Sequence, residues 1–300
     1  MANTINTELQ NNIIAQSALE QFTSILAPLN AFSTSFNDDA AERGKTISIP
    51  TISNTSSATS FSVAGNTYSA MNTTYGSTQI TLDQHLFVSW HVTDTEVSQS
   101  SSVELQRFGY QKGGDLAKAV FEDILGEVTN AKYSSKITVT AADFDADEVA
   151  DLREDGLDQN LYPDQCSLVL QNTYFTSLLK DTDISHAMNY GSAEVIQGGR
   201  VPSLFGIKSI YESNAVPTNS ENLKGFYAHP SALAVAIRYL QPTNTSGYIS
   251  TQRLTDEASG IVMGYREFYE ESTGTQTAVL ECVYGKKVAI DGNLIRIVSA

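Results

Sequence analysis

From Gln79 to Val92 apolar and polar residues alternate: Ile80, Leu82, Leu86, Val88, Trp90 and Val92 share one side of an extended strand, and Thr81, Asp83, His85, Ser89 and His91 share the other. Only Gln84 and Phe87 break the pattern. An extended segment, Lys45 to Ile52, precedes it, and the intervening stretch from Asn54 to Ser77 is dominated by Ser, Thr, Ala, Gly, Asn and Tyr. Those side chains are too small and polar to form a core of their own. Two strands flanking a polar tip predict a long hairpin projecting from the body, which leaves the core to the rest of the chain.

The elements on either side are read from periodicity and capping. Leu9, Ile13, Ile14, Leu19, Phe22, Ile25, Leu26 and Leu29 recur at helical spacing, Thr7 and Gln10 have the capping-box spacing, and Pro28 stands where the helix should end. The polar residues Ser33 to Gly44 read as an arm or linker. After the hairpin, Ser101 and Glu104 form a capping box opening a helix with an apolar stripe from Val103 to Val128. Continued to Asn130 it would be about 40 Å long. Gly113 and Gly114 fall inside it, and paired glycines within a helix predict a bend.

Residues 137 to 240 read as short alternating strands and helices: a strand near Ile137, a helix from Ala146, a strand from Ser167 to Leu170, a segment Tyr174 to Leu179, a turn at Gly198 and Gly199, and a helix from Ser231 to Leu240 opened by Pro230. The stretch from Gly260 to Ala300 reads as strands. Ala278 to Tyr284 and Leu294 to Val298 are separated by Gly285, Lys286 and Lys287, with a further turn at Asp291 and Gly292.

Charge excludes one class of function. Lys and Arg number 18 against 34 Asp and Glu, for a formal net charge of −16, whereas a general nucleic-acid binder clusters basic residues against phosphate. The first basic residue is Arg43 and no apolar run approaches membrane-spanning length, so neither a secretory signal nor a membrane partner is expected. The two cysteines, Cys166 and Cys282, fit neither a disulfide framework nor a zinc site. The triplets beginning at Asn54, Asn72 and Asn244 are loop composition in a chain with no export signal.

Several constellations could carry chemistry. Asp143, Asp145, Asp147, Asp151 and Glu154 occupy calcium-loop positions 1, 3, 5, 9 and 12, but Glu148 replaces the glycine such a loop needs at its turn, and Ala150 the usual large apolar residue. The better reading is a helix with Asp145 and Glu148 as its capping box, Val149 and Leu152 in its buried stripe and Gly156 as its C′ residue. His85 and His91 share a strand face roughly 20 Å apart, too far to share a metal, and read as solvated. Gly191-Ser192-Ala193 lacks the flanks of a nucleophile elbow, its neighbour His186 carries no motif, and no phosphate-binding glycine loop occurs. No catalytic residue, metal ligand or cofactor is therefore expected.

The order of parts resembles the Hong Kong 97 capsid fold of tailed-bacteriophage major capsid proteins, an α+β fold. Local wording supports it: ADFDADEVADLREDG from Ala142 to Gly156, followed by Asn160, Pro163 and SLVL from Ser167; VPSLFGIKSIYESNAVP from Val201 to Pro217; and GFYAHPSALAVAIRYL from Gly225 to Leu240. The resemblance implies an N-terminal helical arm (1–44), an extended E-loop hairpin (45–99), the spine helix of the P-domain (100–136), mainly A-domain with part of the P-domain (137–259), and P-domain return strands (260–300). It implies hexamers and pentamers of the chain itself, closed into an icosahedral head that encloses DNA without specific binding. The virion is the expected location, after assembly in the host cytoplasm.

Because no charged coiled coil precedes the arm, a separate scaffolding protein is expected, together with a portal and a decoration protein. The lysine and asparagine of the prototype's cross-link find no matching positions. The Gly113 and Gly114 bend would let the spine helix straighten as the shell matures. The rival readings are a cytoplasmic hydrolase using His186 or a carboxylate pair, another self-assembling phage protein such as a tail protein, and the shell of a cargo compartment. Against the hydrolase, the arm and hairpin have no task in a monomeric enzyme.

Overall fold

The N-terminal helical spacing produces α1 (Thr7–Leu26), which passes at Pro28 into a 3-10 turn, Ala27–Ala31. The computed structural model describes residues 7–40, 45–52, 75–93, 102–181, 184, 204–244 and 246–300. Beyond the 3-10 turn come β1 (Ser33–Ala40), β2 (Thr46–Ile52), β3 (Tyr75–Thr81), β4 (Gln84–Thr93), α2 (Ser102–Leu125), β5 (Lys136–Thr138), α3 (Ala146–Asp158), β6 (Ser167–Gln171) and α4 (Asn172–Lys180). The rest is strand: β7 (Ser209–Ser213), β8 (Leu223–Ala228), β9 (Leu233–Tyr239), β10 (Ser250–Thr255), β11 (Val262–Glu270), β12 (Thr275–Val288) and β13 (Leu294–Val298).

The first sheet is organised by β12. Over Thr275 to Tyr284 it pairs antiparallel with β4 on one edge; its other edge is taken first by β11 and then, from Val283 to Val288, by β9. Outside these lie β10 against β11 and β1, parallel, against β9. The second sheet has the order β5-β13-β8-β6-β7. Its central strands are buried on both faces. From β13, Leu294 and Val298 enter the large core beneath α1 and α2, while Ile295 and Ile297 enter a second core closed by α3 and α4 through Val149, Leu152, Tyr174, Phe175 and Leu178.

The hairpin is present: β2 and β3 pair antiparallel from Thr46 with Thr81 to Ile52 with Tyr75. Its tip, like residues 94–101, lies outside the described residues. The long alternating segment is not one strand, however. The ladder breaks at Leu82 and Asp83, and β4 leaves the hairpin to join the first sheet. Apart from Gln84 and Phe87, alternation continues through this change of partner because Ile80 and Leu82 face one apolar surface and Trp90 another, all on even-numbered positions.

Four other expectations are corrected. Ser33 to Ala40 is a strand, since polar side chains do not prevent a backbone from pairing with a neighbour's free edge. Ser231 to Leu240 is a strand and not a helix. Leu233, Val235 and Ile237 enter the large core, while Ala234 and Ala236 lie under the hairpin base, so every second residue is small because another layer sits on it. Pro230 belongs to a turn in which the Ala232 N–H donates to the His229 carbonyl. Gly285, Lys286 and Lys287 separate nothing, because β12 continues through them.

Gly156 is not the C′ residue of α3. It lies buried within that helix, where a Cβ would meet the Tyr227 ring at 2.8 Å, and Asn160, with φ +60°, takes the left-handed position after the helix. At the other end Asp145 is the N-cap: its carboxylate accepts from the N–H groups of Asp147 and Glu148 at 3.0 and 3.3 Å, which is the Asp145 half of the expected box. Helix α2 ends at Leu125, which makes it roughly 36 Å long.

Candidate assembly elements

Two helices, a hairpin and the sheet beneath them form one connected unit. Along α2, Gly109 and Gly113 are one helical turn apart and face α1. A Cβ on Gly109 would lie 2.5 Å from the Ile14 carbonyl oxygen, and one on Gly113 would lie 2.2 Å from that of Ala18. Ala15 and Ala18 are fully buried on the facing side. The helices therefore approach almost backbone to backbone, and the glycines are there for close contact. The helix is unbroken through Gly113 and Gly114, and a Cβ on Gly114 would meet the flexible side chains of Gln21, at 3.2 Å, and Ile25, at 3.7 Å.

At its C-terminal end α2 is held by polar groups. Asn219, itself at φ +49°, donates from Nδ2 to the carbonyls of Leu125 and Val128 at 2.9 and 2.7 Å, which satisfies acceptors the helix leaves open. Lys286 reaches from β12 to the Asp123 carbonyl and carboxylate, the latter at 2.8 Å, where an ammonium also complements the helix dipole. The Tyr284 hydroxyl donates to the Asp123 carboxylate at 2.6 Å, and burial pushes this phenol well above its ordinary range.

Arg296 of β13 completes the anchor. Its side chain is 2% exposed; it donates to Glu221 at 2.6 Å, to Asn130 Oδ1 at 2.7 Å and to the Tyr133 carbonyl at 2.7 Å. Glu221 in turn accepts from the Asn130 N–H at 2.9 Å. A guanidinium so far from water is tolerable only with such a set of acceptors.

The hairpin base sits on the outer face of the first sheet, where Ile49, Ile80 and Leu82 pack on Ala234, Ala236 and Val283. Gly285 makes this possible, for a Cβ there would lie 2.4 Å from the Thr81 carbonyl oxygen. Just past the break, His85 Nε2 lies 3.1 Å from Glu281, whose other oxygen lies 2.5 Å from Arg266; Arg266 also donates to the Leu240 carbonyl at 2.9 Å. His85 is thus tied to a charged group and not simply solvated, as the sequence suggested, and His91 bonds Thr277 at 2.8 Å. On the inner face Trp90 meets Phe108 of α2 edge to face.

The remaining sequence candidates are scattered. The acidic residues 143 to 158 form the cap and outer face of α3, and burial first, then repulsion from Asp151, Asp145, Asp143 and Asp147, raises the Glu148 carboxyl. Cys166 and Cys282 are both free and buried; burial pushes the Cys166 thiol up to about 11. His186, Gly191, Ser192, Ala193, Gly198 and Gly199 lie outside the described residues. Among the described residues no group of three or more metal-ligating side chains converges, and no helix is long and apolar enough to cross a membrane.

Gly109, Asn219 and Arg296 were not singled out by sequence reasoning, and Gly285 was read only as part of a break between strands. The spacing of Gly109 and Gly113 is the one signal that could have been read.

No family profile matches the chain, and no curated protein sequence does. Solved structures do. The capsid of the cyanophage P-SCSP1u is 16% identical with a TM-score of 0.60, over 90% of this chain and 86% of that one. The mature capsid of bacteriophage PhiM1 is 14% identical with a TM-score of 0.55, over 89% and 86%. A virus-like particle from Pyrococcus furiosus is 10% identical with a TM-score of 0.53, over 95% and 97%. Over about nine-tenths of its length the chain has the mixed helix-and-strand fold of these capsid structures.

Proposed function

We propose that this chain is the major capsid protein of a tailed bacteriophage, assembling into hexamers and pentamers that close an icosahedral head around the genome. The observation that carries this is the end-to-end fold likeness to capsid shells, over 85% or more of both chains in each comparison. An enzyme domain with an added shell-like segment would match over part of its length only.

In this reading residues 1–44 are the arm, 45–99 the E-loop, 100–136 the spine helix, 137–259 mainly the A-domain with part of the P-domain, and 260–300 the return strands. The hairpin lies over a neighbouring copy, and repetition around a closed shell multiplies contacts that are individually modest. The net charge of −16 suits a wall that holds DNA without adhering to it. Gly113 and Gly114 are the point at which α2 changes curvature as the shell expands. A separate scaffolding protein, a portal and a decoration protein complete the head, which assembles in the host cytoplasm.

Negative-stain electron microscopy of the purified chain, alone and with candidate scaffold proteins, tests this. Uniform polyhedral shells, or rings of five and six, are expected; a small monodisperse particle under every condition overturns it. A second reading is a cargo-filled compartment, since the fold is shared, over 95% of this chain, with a virus-like particle as well as with phage capsids. Particles purified from the native source and filled with protein in place of DNA would select it.

A further inference from the structure

The turn leading into β7 places an aromatic residue where backbone geometry favours Gly, Asn or Asp. The Ile207 N–H donates to the Leu204 carbonyl at 2.9 Å, closing a turn in which Phe205 has φ +49° and Gly206 φ +80°. Positive φ at both central positions marks a type I′ turn. Glycine adopts it without steric cost; a bulky side chain does not.

Phe205 is not rewarded by entry into the core, since it stays 46% exposed. The Lys208 N–H donates to the carbonyls of Pro163 and Cys166 at 3.0 and 3.1 Å, which ties this turn to the loop carrying Tyr162, itself 55% exposed. Two large rings therefore stand exposed on one bonded pair of loops. Asp164 and Lys208, both exposed, add opposite charges to the same loops. A backbone strained to display an aromatic ring is rewarded only by a contact outside the chain. A patch carrying both signs of charge complements a second copy of itself met head to tail.

We propose that the paired loops 162–166 and 204–208 form a contact between copies of this chain, with Phe205 as the aromatic anchor. This rests on the shell reading and adds to it a specific surface.

The test separates folding from assembly. Phe205→Asn suits the turn, so the unassembled subunit should melt at the wild-type temperature or above it. Loss of the anchor should raise the concentration needed for shell formation by about tenfold or more. Asp164→Lys and Lys208→Asp should each impair assembly, and the double exchange should restore it. Phe205→Asn shells forming at wild-type concentration would overturn the contact, as would a Phe205→Asn chain that loses stability and assembly in step. Should that variant fail to fold, the charge exchange decides: no rescue in the double variant overturns the proposal. A wild-type chain monomeric at every concentration overturns the shell reading itself, and the contact with it.

Discussion

Helix α2 is held differently at its two ends. Around Gly109 and Gly113 it meets α1 by close packing, with backbone nearly touching backbone and the small buried side chains of Ala15 and Ala18 on the facing side. Beyond Leu125 it is held by direction-specific groups: Asn219 on its last carbonyls, Lys286 on Asp123, and buried Arg296 joining Asn130, Tyr133 and Glu221. A seam made by shape tolerates no added atom. A polar anchor tolerates no lost partner and fixes one position. One helix thus has one end fixed by polar partners and the other by close backbone packing against α1.

The largest expected effect comes from removing a partner of the buried charge. Glu221→Ala should cost about 3 kcal/mol, the low end of the range for a broken buried pair because Glu221 is 31% exposed. Arg296→Met keeps the packing and removes the charge, and should cost less. Urea unfolding measures both; equal losses would mean that the cost lies in the lost pairing itself and not in a guanidinium left buried without its partner.

Next is the seam. Gly113→Ala should destabilise by about 2 kcal/mol, because the facing atoms are Ala18 backbone and cannot rotate away. The loss should fall on α1, seen as faster hydrogen exchange in its amides with α2 unchanged. Uniform acceleration across both helices would show that the seam is not separable from the anchor.

Asn219→Gly keeps a residue suited to positive φ and deletes the cap, for an expected loss of about 1 kcal/mol. An unchanged unfolding midpoint would assign the holding of that helix end to Lys286 and Arg296. Smallest is Gly114→Ala, expected to gain up to about 1 kcal/mol from helix propensity. Particles of this variant arrested at immature size, despite the gain, would support a change of curvature at this point, and particles of normal mature size would count against it.

The elements legible in the sequence were those whose burial pattern is created by their own chain. Helix α1, helix α3 with its Asp145 cap and the hairpin strands each show a period or capping residue that needs no knowledge of the partner. The bend read at Gly113 and Gly114 drew on the glycines' freedom, whereas at Gly113 the visible consequence is space for Ala18. Strand β9 misled because Ala-rich sequence favours a helix, while its alternating small residues answer to the hairpin lying across them. Strand β1 carried no signal, as its ladder with β9 is made by the backbone, to which Arg238 of β9 adds a bond to the Ser35 hydroxyl at 3.0 Å.

By itself, then, the amino-acid sequence determined where the chain is amphipathic, with what period, and where its helices begin; these follow from the spacing of apolar side chains and from local hydrogen bonds. Tertiary structure decided which strand edges meet, that the alternating segment changes partner at Leu82 and Asp83, and that Gly109, Gly113 and Gly285 lie under crossing backbones. It also decided that Arg296 is buried among its acceptors. Each of these depends on groups distant in the chain brought within a few ångströms, and no local pattern encodes the distance between them.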